Sequence, residues 1–268
     1  QVGIDSHEIF PLKDLIGLLG NAPEPWSVLS KLHDQNWASW AELDHKLLTW
    51  SWNLVPLEPL SALKSLITER PVLFITSTGK DRLFKSELDS ASFEPKVEVS
   101  LAGSRIQEPI PLFVPSRQPL PNSENYSSHL LGQSLRLILG VSGLTIVLLD
   151  DLHLRHQLTS SLAAEFGRRV VHEMTSPEIN GVICCSWSWW LDNQEHLPIP
   201  YQLIVALLPI PSLESPLISA RVAALKRDGR DWFRDFLLPE ALRVILQAVS
   251  PLRGKNTRLA IIDGRVRA

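Results

Sequence analysis

The stretch "GLTIVLLDDLHLRHQLTSSLAAEFGRRVVHEM", residues 143–174, decides the fold. It begins with an apolar run that ends in two aspartates, which is typical of a strand buried on both faces of a parallel sheet. Residues 152–166 then form a helical stretch, and a second short apolar run, residues 168–174, follows it. The stretch therefore predicts a strand, a helix and a second strand in succession.

The same alternation continues on both sides of this unit. Further strands are predicted at 71–76, 181–186, 202–208 and 258–263, and further helices at 215–227 and 239–249. This order predicts an α/β fold with a doubly wound, mostly parallel sheet flanked by helices. Ligands of such sheets bind at the carboxyl ends of the strands. That rule directs attention to residues 76–81, 150–155, 186–192 and the turn after Val249.

The two ends of the alternating region differ from it. Residues 1–48 show helical spacing and no strand pattern, so we predict a separate amino-terminal helical segment there, and one domain over 49–268. Residues 49–67 predict an edge strand and a short helix. Residues 87–125 are rich in proline and serine and predict an irregular crossing segment with one strand, "IPLFV".

Composition narrows the class of protein. The chain has 268 residues, a net charge of −3 and 44% hydrophobic residues, which indicates a soluble globular protein without a global positive field. We find no apolar run of about 20 residues that would span a membrane, and no signal peptide. The first residue is Gln, so we expect a piece of a longer chain.

The two cysteines, Cys184 and Cys185, are adjacent on a predicted strand, so their side chains point to opposite faces. They predict buried, unpaired thiols in a cytoplasmic protein, with no disulfide-linked partner. Two cysteines alone do not form a four-ligand metal site.

Four motifs carry candidate chemistry. "STGKD", residues 77–81, lacks the first glycine and the Ser or Thr of a phosphate-binding loop. Asp150 and Asp151 are expected to cap the next helix rather than hold Mg²⁺. The tryptophans of "SWSWWLD", residues 186–192, either stack on unpaired bases or pack in the core. His153 and His156 are expected at the surface, because nothing nearby completes a metal site.

Six segments in the right order resemble the carboxyl-terminal half of the DinG/XPD-type helicases of superfamily 2. The most specific is "LPIPSLESPLISAR", in which Leu208, Pro209, Pro216, Ala220 and Arg221 match the family's LPF, DP and AR spacing. The others lie in "GRDWFRDFLLPEALRVILQ", "LAIIDGRV", "VLFITSTGKD", "WSWNLVPLEPLSAL" and "GLTIVLLDDLHLRHQL". The resemblance covers about residues 48–266.

The resemblance implies the second RecA-like domain of a two-domain motor, preceded by the tail of an inserted arch-like helical lobe. ATP and Mg²⁺ would be bound mainly by the first RecA-like domain of the same parent chain, so this fragment alone would hydrolyse no ATP. Single-stranded DNA is the implied partner, and no membrane is implied. The implied DNA contacts are Ser77, Thr78, His153, Arg155, Trp187, Trp189 and Trp190. Asp192 and Gln247 would face the nucleotide cleft, with Arg253 and Lys255 as candidate catalytic cations.

Three departures from the family pattern concern function, and the mildest is "STG" at Ser77 to Gly79, where the family has Ser-Ala-Thr. The family's helix ends Q-x-x-G-R-x-x-R, whereas this chain keeps Gln247 and has Pro251 and Gly254 at the arginine positions. Arg253 lies one place early and Lys255 one place late, and a lysine lacks the bidentate fork of an arginine. In the second motif, Trp189 and Trp190 occupy the Glu and Gly positions of S-F-W-E-G-V-D.

These departures leave two hypotheses open within the family. One is an active motor that moves along single-stranded DNA, with an arginine displaced by one residue. The other is a degenerate helicase kept as a nucleic-acid or protein binding module. A third hypothesis, an unrelated α/β binding domain, predicts a sheet without the RecA-like order.

Overall fold

The computed structural model of the chain describes residues 2–3, 37–44, 46, 48–64, 70–75, 85, 88–89, 91–99, 109–252 and 256–267. The chain divides into two compact units. The first comprises residues 1–76, 80–99 and 211–240, and the second comprises 77–79, 100–210 and 241–268. The predicted boundary at residue 48, between a helical segment and the helicase-like domain, stays a prediction.

Nine strands and six α-helices lie in the described residues. The strands are β1 (Val2–Gly3), β2 (Trp37–Asp44), β3 (Thr49–Pro56), β4 (Leu112–Phe113), β5 (Thr145–Leu148), β6 (Val170–His172), β7 (Val182–Cys185), β8 (Gln202–Val205) and β9 (Arg258–Ile261). The helices are α1 (Pro59–Ala62), α2 (Tyr126–Ile138), α3 (Leu152–Phe166), α4 (Trp187–Asn193), α5 (Pro216–Arg227) and α6 (Leu238–Ala248). Short 3₁₀ or π turns lie at 167–169, 233–237, 250–252 and 264–267.

The first unit contains an antiparallel sheet in the order β1-β2-β3. Strands β2 and β3 pair along their full lengths, from Trp37 opposite Pro56 to Asp44 opposite Thr49. Within the predicted stretch 49–67, the strand and the short helix are confirmed at Thr49–Pro56 and Pro59–Ala62, and residues 65–67 lie outside the described residues. The helix expected over 37–44 is wrong. Long-range pairing with β3 suits tryptophan-rich residues on a half-buried pleated surface, and it overrides the local helical spacing. Residues 4–36 lie outside the described residues.

The strand predicted at 71–76 is also corrected. Residues 71–75 have no regular secondary structure, and Leu73 and Ile75 are 82% and 86% exposed. The parallel sheet of the second unit has β4 and β6 as its two edges. An apolar run becomes a buried strand only where a neighbouring strand accepts its hydrogen bonds and side chains cover both of its faces. Sequence periodicity did not reveal that residues 71–75 have neither a neighbouring strand nor covered faces.

The second unit contains a six-stranded, fully parallel sheet in the order β4-β9-β8-β5-β7-β6. Its strands lie within the predicted runs at 110–114, 144–150, 168–174, 181–186, 202–208 and 258–263. Helices flank the sheet, so the predicted α/β fold class is confirmed, and the arrangement is consistent with a RecA-like domain. Helices α2 and α4 were not predicted.

Two hydrophobic clusters cover the two faces of the parallel sheet. Alternate residues of β5 and β7 enter different clusters, so that Val147 and Cys184 pack with α2 and α3, whereas Ile146 and Cys185 pack with α4 and α6. The two thiols are free and buried on opposite faces, as their adjacency predicts. Burial raises the pKa of Cys184 to about 11 and raises that of Cys185 well above its usual range, so both act as small hydrophobic groups.

A buried polar network fixes the amino end of the sheet. Gln202 donates to the Leu137 carbonyl and the Thr145 hydroxyl at 3.0 and 2.9 Å. Arg258 donates from Nε to Gln202 Oε1 at 2.8 Å and from Nη2 to the Leu137 carbonyl at 2.8 Å. These bonds tie β5, β8 and β9 to the end of α2 in one register. Among the described helices, none is long and apolar enough to cross a membrane.

Candidate functional site

The turns that follow β5 and β7 meet at the carboxyl edge of the sheet. The two strands are parallel neighbours, with Leu148 opposite Cys185. Asp150 accepts a hydrogen bond from the Trp187 amide at 3.0 Å, which joins the two turns directly. Asp151 caps α3 by accepting from the Leu154 amide at 2.8 Å, so the predicted capping role is confirmed for this residue. Ser186 caps α4 in the same way, through the Trp189 amide at 3.3 Å.

Arg155 lies beneath these turns and is only 6% exposed. Its Nε donates to His172 Nε2 at 3.0 Å, and its Nη1 donates to the Leu149 carbonyl at 3.0 Å. Its Nη2 lies 3.5 Å from Glu173 Oε1. All three guanidinium nitrogens therefore contact groups of this chain. The structure places Arg155 inside the carboxyl edge and gives it a structural role, where sequence analysis expected a DNA contact.

Glu173 connects the end of β6 to the end of β7. Its Oε1 accepts from both the Ser186 amide and the Ser186 hydroxyl, at 3.0 and 2.8 Å. Burial alone would raise the pKa of Glu173, but the two Ser186 hydrogen bonds and the Arg155 charge outweigh it, and the pKa is lowered. Glu173 also has a φ of 45°, an unfavourable value for a side chain of this kind. The hydrogen bonds compensate for that strain.

His172 completes this network on the α3 side. Its ring stacks on the ring of His156, with centroids 4.6 Å apart and planes 12° from parallel. Desolvation lowers the pKa of His172, Arg155 and His156 lower it further, and Glu173 acts in the opposite direction. The ring is therefore neutral near pH 7, and its Nε2 accepts the Arg155 hydrogen bond.

The three tryptophans of α4 have different environments. Trp187 is 3% exposed, and its indole donates to the Leu207 carbonyl at 3.0 Å. Trp190 is fully buried, and its indole donates to the Ala248 carbonyl at 3.0 Å. Neither ring offers a face to solvent, so the core-packing alternative describes both. Trp189 is partly exposed and packs at the margin of the core.

Three residues of the two turns, His153, Ser188 and Trp189, define what we call the strand-end surface, and the exposed Asp150 and Asp151 lie in the same turns. His153 and Ser188 are exposed, and Trp189 is half-buried. They stand on the first turns of α3 and α4, which the Asp150 and Trp187 bond holds together. One aromatic ring and two hydrogen-bonding side chains are groups that contact bases and phosphates of single strands.

The two predicted nucleotide-cleft residues stand on neighbouring helices. Asp192 is exposed on α4, and Gln247 is exposed on α6. The Trp190 bond to the Ala248 carbonyl joins the two helices between them. Ser77, Thr78, Arg253 and Lys255 lie outside the described residues, so their roles stay predictions. On either side of Arg253 and Lys255, the Thr257 hydroxyl donates to the Leu252 carbonyl at 2.9 Å, so a hydrogen bond joins the residues that flank this segment.

A second charged pair follows β9. Asp263 is fully buried, and its Oδ2 contacts Arg265 Nη2 at 2.6 Å and accepts from the Leu208 amide at 2.8 Å. Arg265 also donates to the Leu208 carbonyl at 3.2 Å. The pair that matches the family's closing Asp and Arg thus holds the end of β9 to the turn after β8. Tyr126 donates to the Ala206 carbonyl in that same turn, and burial raises the pKa of its hydroxyl.

The described residues offer little to a metal ion. No group of three or more His, Cys, Asp or Glu side chains in this part of the chain is arranged to hold one. The nearest acidic residues, Asp150 and Asp151, already accept backbone hydrogen bonds. We therefore assign no Mg²⁺ ligand to these two residues, and the ATP and Mg²⁺ implied by the resemblance stay a prediction.

Sequence analysis missed Glu173 and His172. Both lie at the end of a predicted strand, in "RRVVHEM", and the strand-end rule that directed attention to 150–155 and 186–192 applies to them equally. The signal was therefore present. What it does not contain is the pairing of β6 with β7, which brings Glu173 to Ser186.

Comparisons with known proteins find likeness among solved structures only, where 12 chains match. No family model matches the chain, and no curated protein matches it. Among solved structures, one of Xpd4 from S. tokodaii is similar to it with a TM-score of 0.46 and 11% identity, covering 99% of this chain and 68% of that one.

Proposed function

We propose that this chain is the carboxyl-terminal RecA-like domain of a DinG/XPD-type DNA helicase and that its strand-end surface contacts single-stranded DNA. The observation that carries the proposal is the Asp150 hydrogen bond to the Trp187 amide. It brings the segment after β5, which belongs to the family resemblance, and the segment after β7, which departs from the family's S-F-W-E-G-V-D pattern, to a single edge of a parallel sheet. That edge is where α/β sheets bind their ligands.

The strand-end surface supports contact with a single strand rather than with base pairs. Trp189 supplies the one partly exposed tryptophan ring of α4, and such rings stack on unpaired bases without regard to sequence. His153 and Ser188 supply hydrogen-bonding groups for a phosphate or sugar. The network of Arg155, Glu173 and Ser186 lies behind this surface and holds the two turns in place.

In this proposal the ATP cleft is formed jointly with the first RecA-like domain. Asp192 and Gln247 face that cleft from α4 and α6. Arg253 or Lys255 approaches the γ-phosphate, where a cation stabilises the charge that develops during phosphoryl transfer. The fragment supplies one wall of the cleft and no nucleotide-binding loop, so it turns over no ATP by itself.

A second candidate function is a degenerate helicase domain that binds DNA or a protein without ATPase activity. The observation that favours it is the burial of residues within the family's motifs. Trp187, Trp190 and Arg155 all make structural contacts in this chain. Side chains at motif positions have thus become part of the core, as expected where a fold persists after its catalytic motifs have changed.

DNA binding is tested by fluorescence anisotropy of a labelled oligothymidine with the chain and two variants, Trp189→Ala and His153→Ala. Loss of one stacking contact costs about 1–3 kcal/mol, so we expect the Trp189 variant to raise the Kd at least about fivefold. Trp50→Ala and His196→Ala are matched controls, because both residues are exposed and lie outside the strand-end surface. Equal weakening in the controls, or no binding by the chain, would contradict the proposed surface.

The two candidate functions are separated by DNA-stimulated ATPase activity of the parent chain. We expect stimulated turnover that falls by about 10³-fold or more in either Arg253→Ala or Lys255→Ala. DNA binding without turnover would instead support the degenerate module. Turnover unchanged in both variants would show that neither residue replaces the family's arginines.

A further inference from the structure

A cavity on the second unit lies apart from the strand-end surface. It has a volume of about 580 Å³ and is open to solvent. Its lining comes from the segment after β4, the start of α2 and the turn after β9, and comprises Ser116, Arg117, Gln118, Pro119, Asn125, His129, Gly264 and Arg267. This volume is within the range of small-ligand sites in proteins.

The cavity is locally cationic, although the chain has a net charge of −3. Two of its lining residues, Arg117 and Arg267, carry guanidinium groups, and no lining residue carries a carboxylate. Both arginines are exposed, and the one hydrogen bond of Arg267 is a long one, 3.4 Å to the Val114 carbonyl. Asp263 adjoins the lining residue Gly264 but pairs with Arg265, so it does not neutralise the cavity.

The cavity also contains buried polar atoms without partners. In the described residues, six buried side-chain polar atoms make no hydrogen bond, and three of them belong to two lining residues of this cavity. They are Nε2 and Oε1 of Gln118 and Nε2 of His129. A buried polar group without a partner costs about 1–3 kcal/mol, so these three atoms need a water molecule or a ligand group that reaches them from the cavity.

The start of α2 adds one exposed polar side chain to the lining. Asn125 occupies the N-cap position and lines the cavity, yet its side chain makes no capping hydrogen bond. Gly264 is required by the same geometry, because a Cβ atom there would contact the Pro119 carbonyl oxygen and lie 2.9 Å from the Gln118 carbonyl oxygen. The turn after β9 and the segment 117–119 therefore approach closely, which gives the cavity a rigid wall.

We infer that this cavity binds a phosphate group, held by the guanidinium groups of Arg117 and Arg267 and by the side chains of Gln118, Asn125 and His129. Arginine is the side chain whose planar donors match the oxygens of a phosphate. Two cations suit a dianionic group better than a single carboxylate. The inference does not rest on the proposed helicase function, since it uses none of the strand-end residues.

Titration calorimetry with pyrophosphate at constant ionic strength tests this inference. We expect saturable binding that weakens about tenfold in Arg117→Gln and in Arg267→Gln, since a charge-assisted hydrogen bond contributes roughly that much. Gln118→Leu is expected to weaken binding as well and to leave the fold intact by circular dichroism. Arg136→Gln is the matched control, because it removes the same charge from an exposed position of α2 that does not line the cavity.

Two results would overturn the inference. Absence of saturable pyrophosphate binding would mean that water alone occupies the cavity. Binding that weakens equally in Arg136→Gln would mean a response to overall charge. Competition by a short oligothymidine identifies a nucleic-acid phosphate as the source, and its failure identifies a free phosphorylated molecule. Either result of the competition experiment supports a phosphate site. The anisotropy measurement on the Trp189 variant tests the strand-end surface separately.

Discussion

Trp190 offers the sharpest test of how this chain departs from the helicase pattern. It stands where the family has glycine, and in the structure its ring is fully buried with its indole bonded to the Ala248 carbonyl at 3.0 Å. Restoring the family residue, Trp190→Gly, would remove a large core side chain. We expect a loss of about 4–6 kcal/mol in the free energy of unfolding, combining about 3–5 for the truncation with about 1 for glycine in a helix.

Trp190→Phe separates the hydrogen bond from the packing. It keeps most of the ring and leaves the Ala248 carbonyl buried without a partner, because Ala248 is itself fully buried. The stranded acceptor costs about 1–3 kcal/mol and the lost ring atoms about 1 more, so we expect a loss of about 2–4 kcal/mol.

Urea unfolding at pH 7, followed by circular dichroism, measures both variants without depending on the removed fluorophore. Trp189→Phe is the matched control on the same helix, and since Trp189 is only half-buried we expect a loss below about 1 kcal/mol. A Trp190→Phe variant as stable as the unmodified chain would refute the reasoning. The hydrogen bond to the Ala248 carbonyl would then contribute nothing to stability, and only the Trp190→Gly result would report on the packing of the ring.

Three further predictions follow from the same contacts. Glu173→Gln should lower the free energy of unfolding by about 1–2 kcal/mol at pH 7, because the lowered pKa of Glu173 stabilises the fold above the unfolded-state pKa. The difference in stability between the variant and the unmodified chain should shrink as the pH falls through the folded-state pKa of Glu173. Urea unfolding at pH 7 and at acidic pH measures this difference. A difference that stays constant between the two pH values would contradict the prediction. Tyr126→Phe should lower the free energy of unfolding by about 1–2 kcal/mol in the same assay, because it leaves the Ala206 carbonyl without its hydrogen-bond donor. Tyr201→Phe, at an exposed position, is the control. Gly264→Ala should lower the free energy of unfolding by about 1–3 kcal/mol and weaken pyrophosphate binding, because the added Cβ atom would displace the segment 117–119. Gly132→Ala is the control, since its Cβ atom would meet no atom within 4 Å, and it should do neither.

Much of the parallel sheet was predictable because its signals are local. Continuous apolar runs mark strands that are covered on both faces, and β5, β7 and β8 are buried at every residue. The helix at 152–166 has exactly the predicted bounds, and Asp151 caps it as the sequence indicates. The opposite orientation of Cys184 and Cys185 follows from the alternation of side chains along a strand.

The errors arose where distant residues decide the structure. Residues 37–44 carry apolar residues at a spacing that suits either a helix or a strand, and pairing with β3 selects the strand. Residues 71–75 have the apolar pattern of a core strand, but they pair with no strand of the parallel sheet. Helix α4 was missed because "SWSWWLD" is short and aromatic-rich, so its helical character depends on the Ser186 cap and on burial of Trp187 and Trp190.

The sequence by itself determined the α/β class, the positions of most parallel strands and the two strand ends that carry the candidate surface. Local periodicity and capping residues are sufficient for these, since they depend on neighbours within a few positions. The tertiary structure alone decided which motif residues remain accessible. Three features depend on which strands lie side by side. They are the burial of Arg155, Trp187 and Trp190, the hydrogen bond from Ser186 to Glu173, and the cavity around Arg117 and Arg267. That order is set by the packing of the whole sheet, and no single segment contains it.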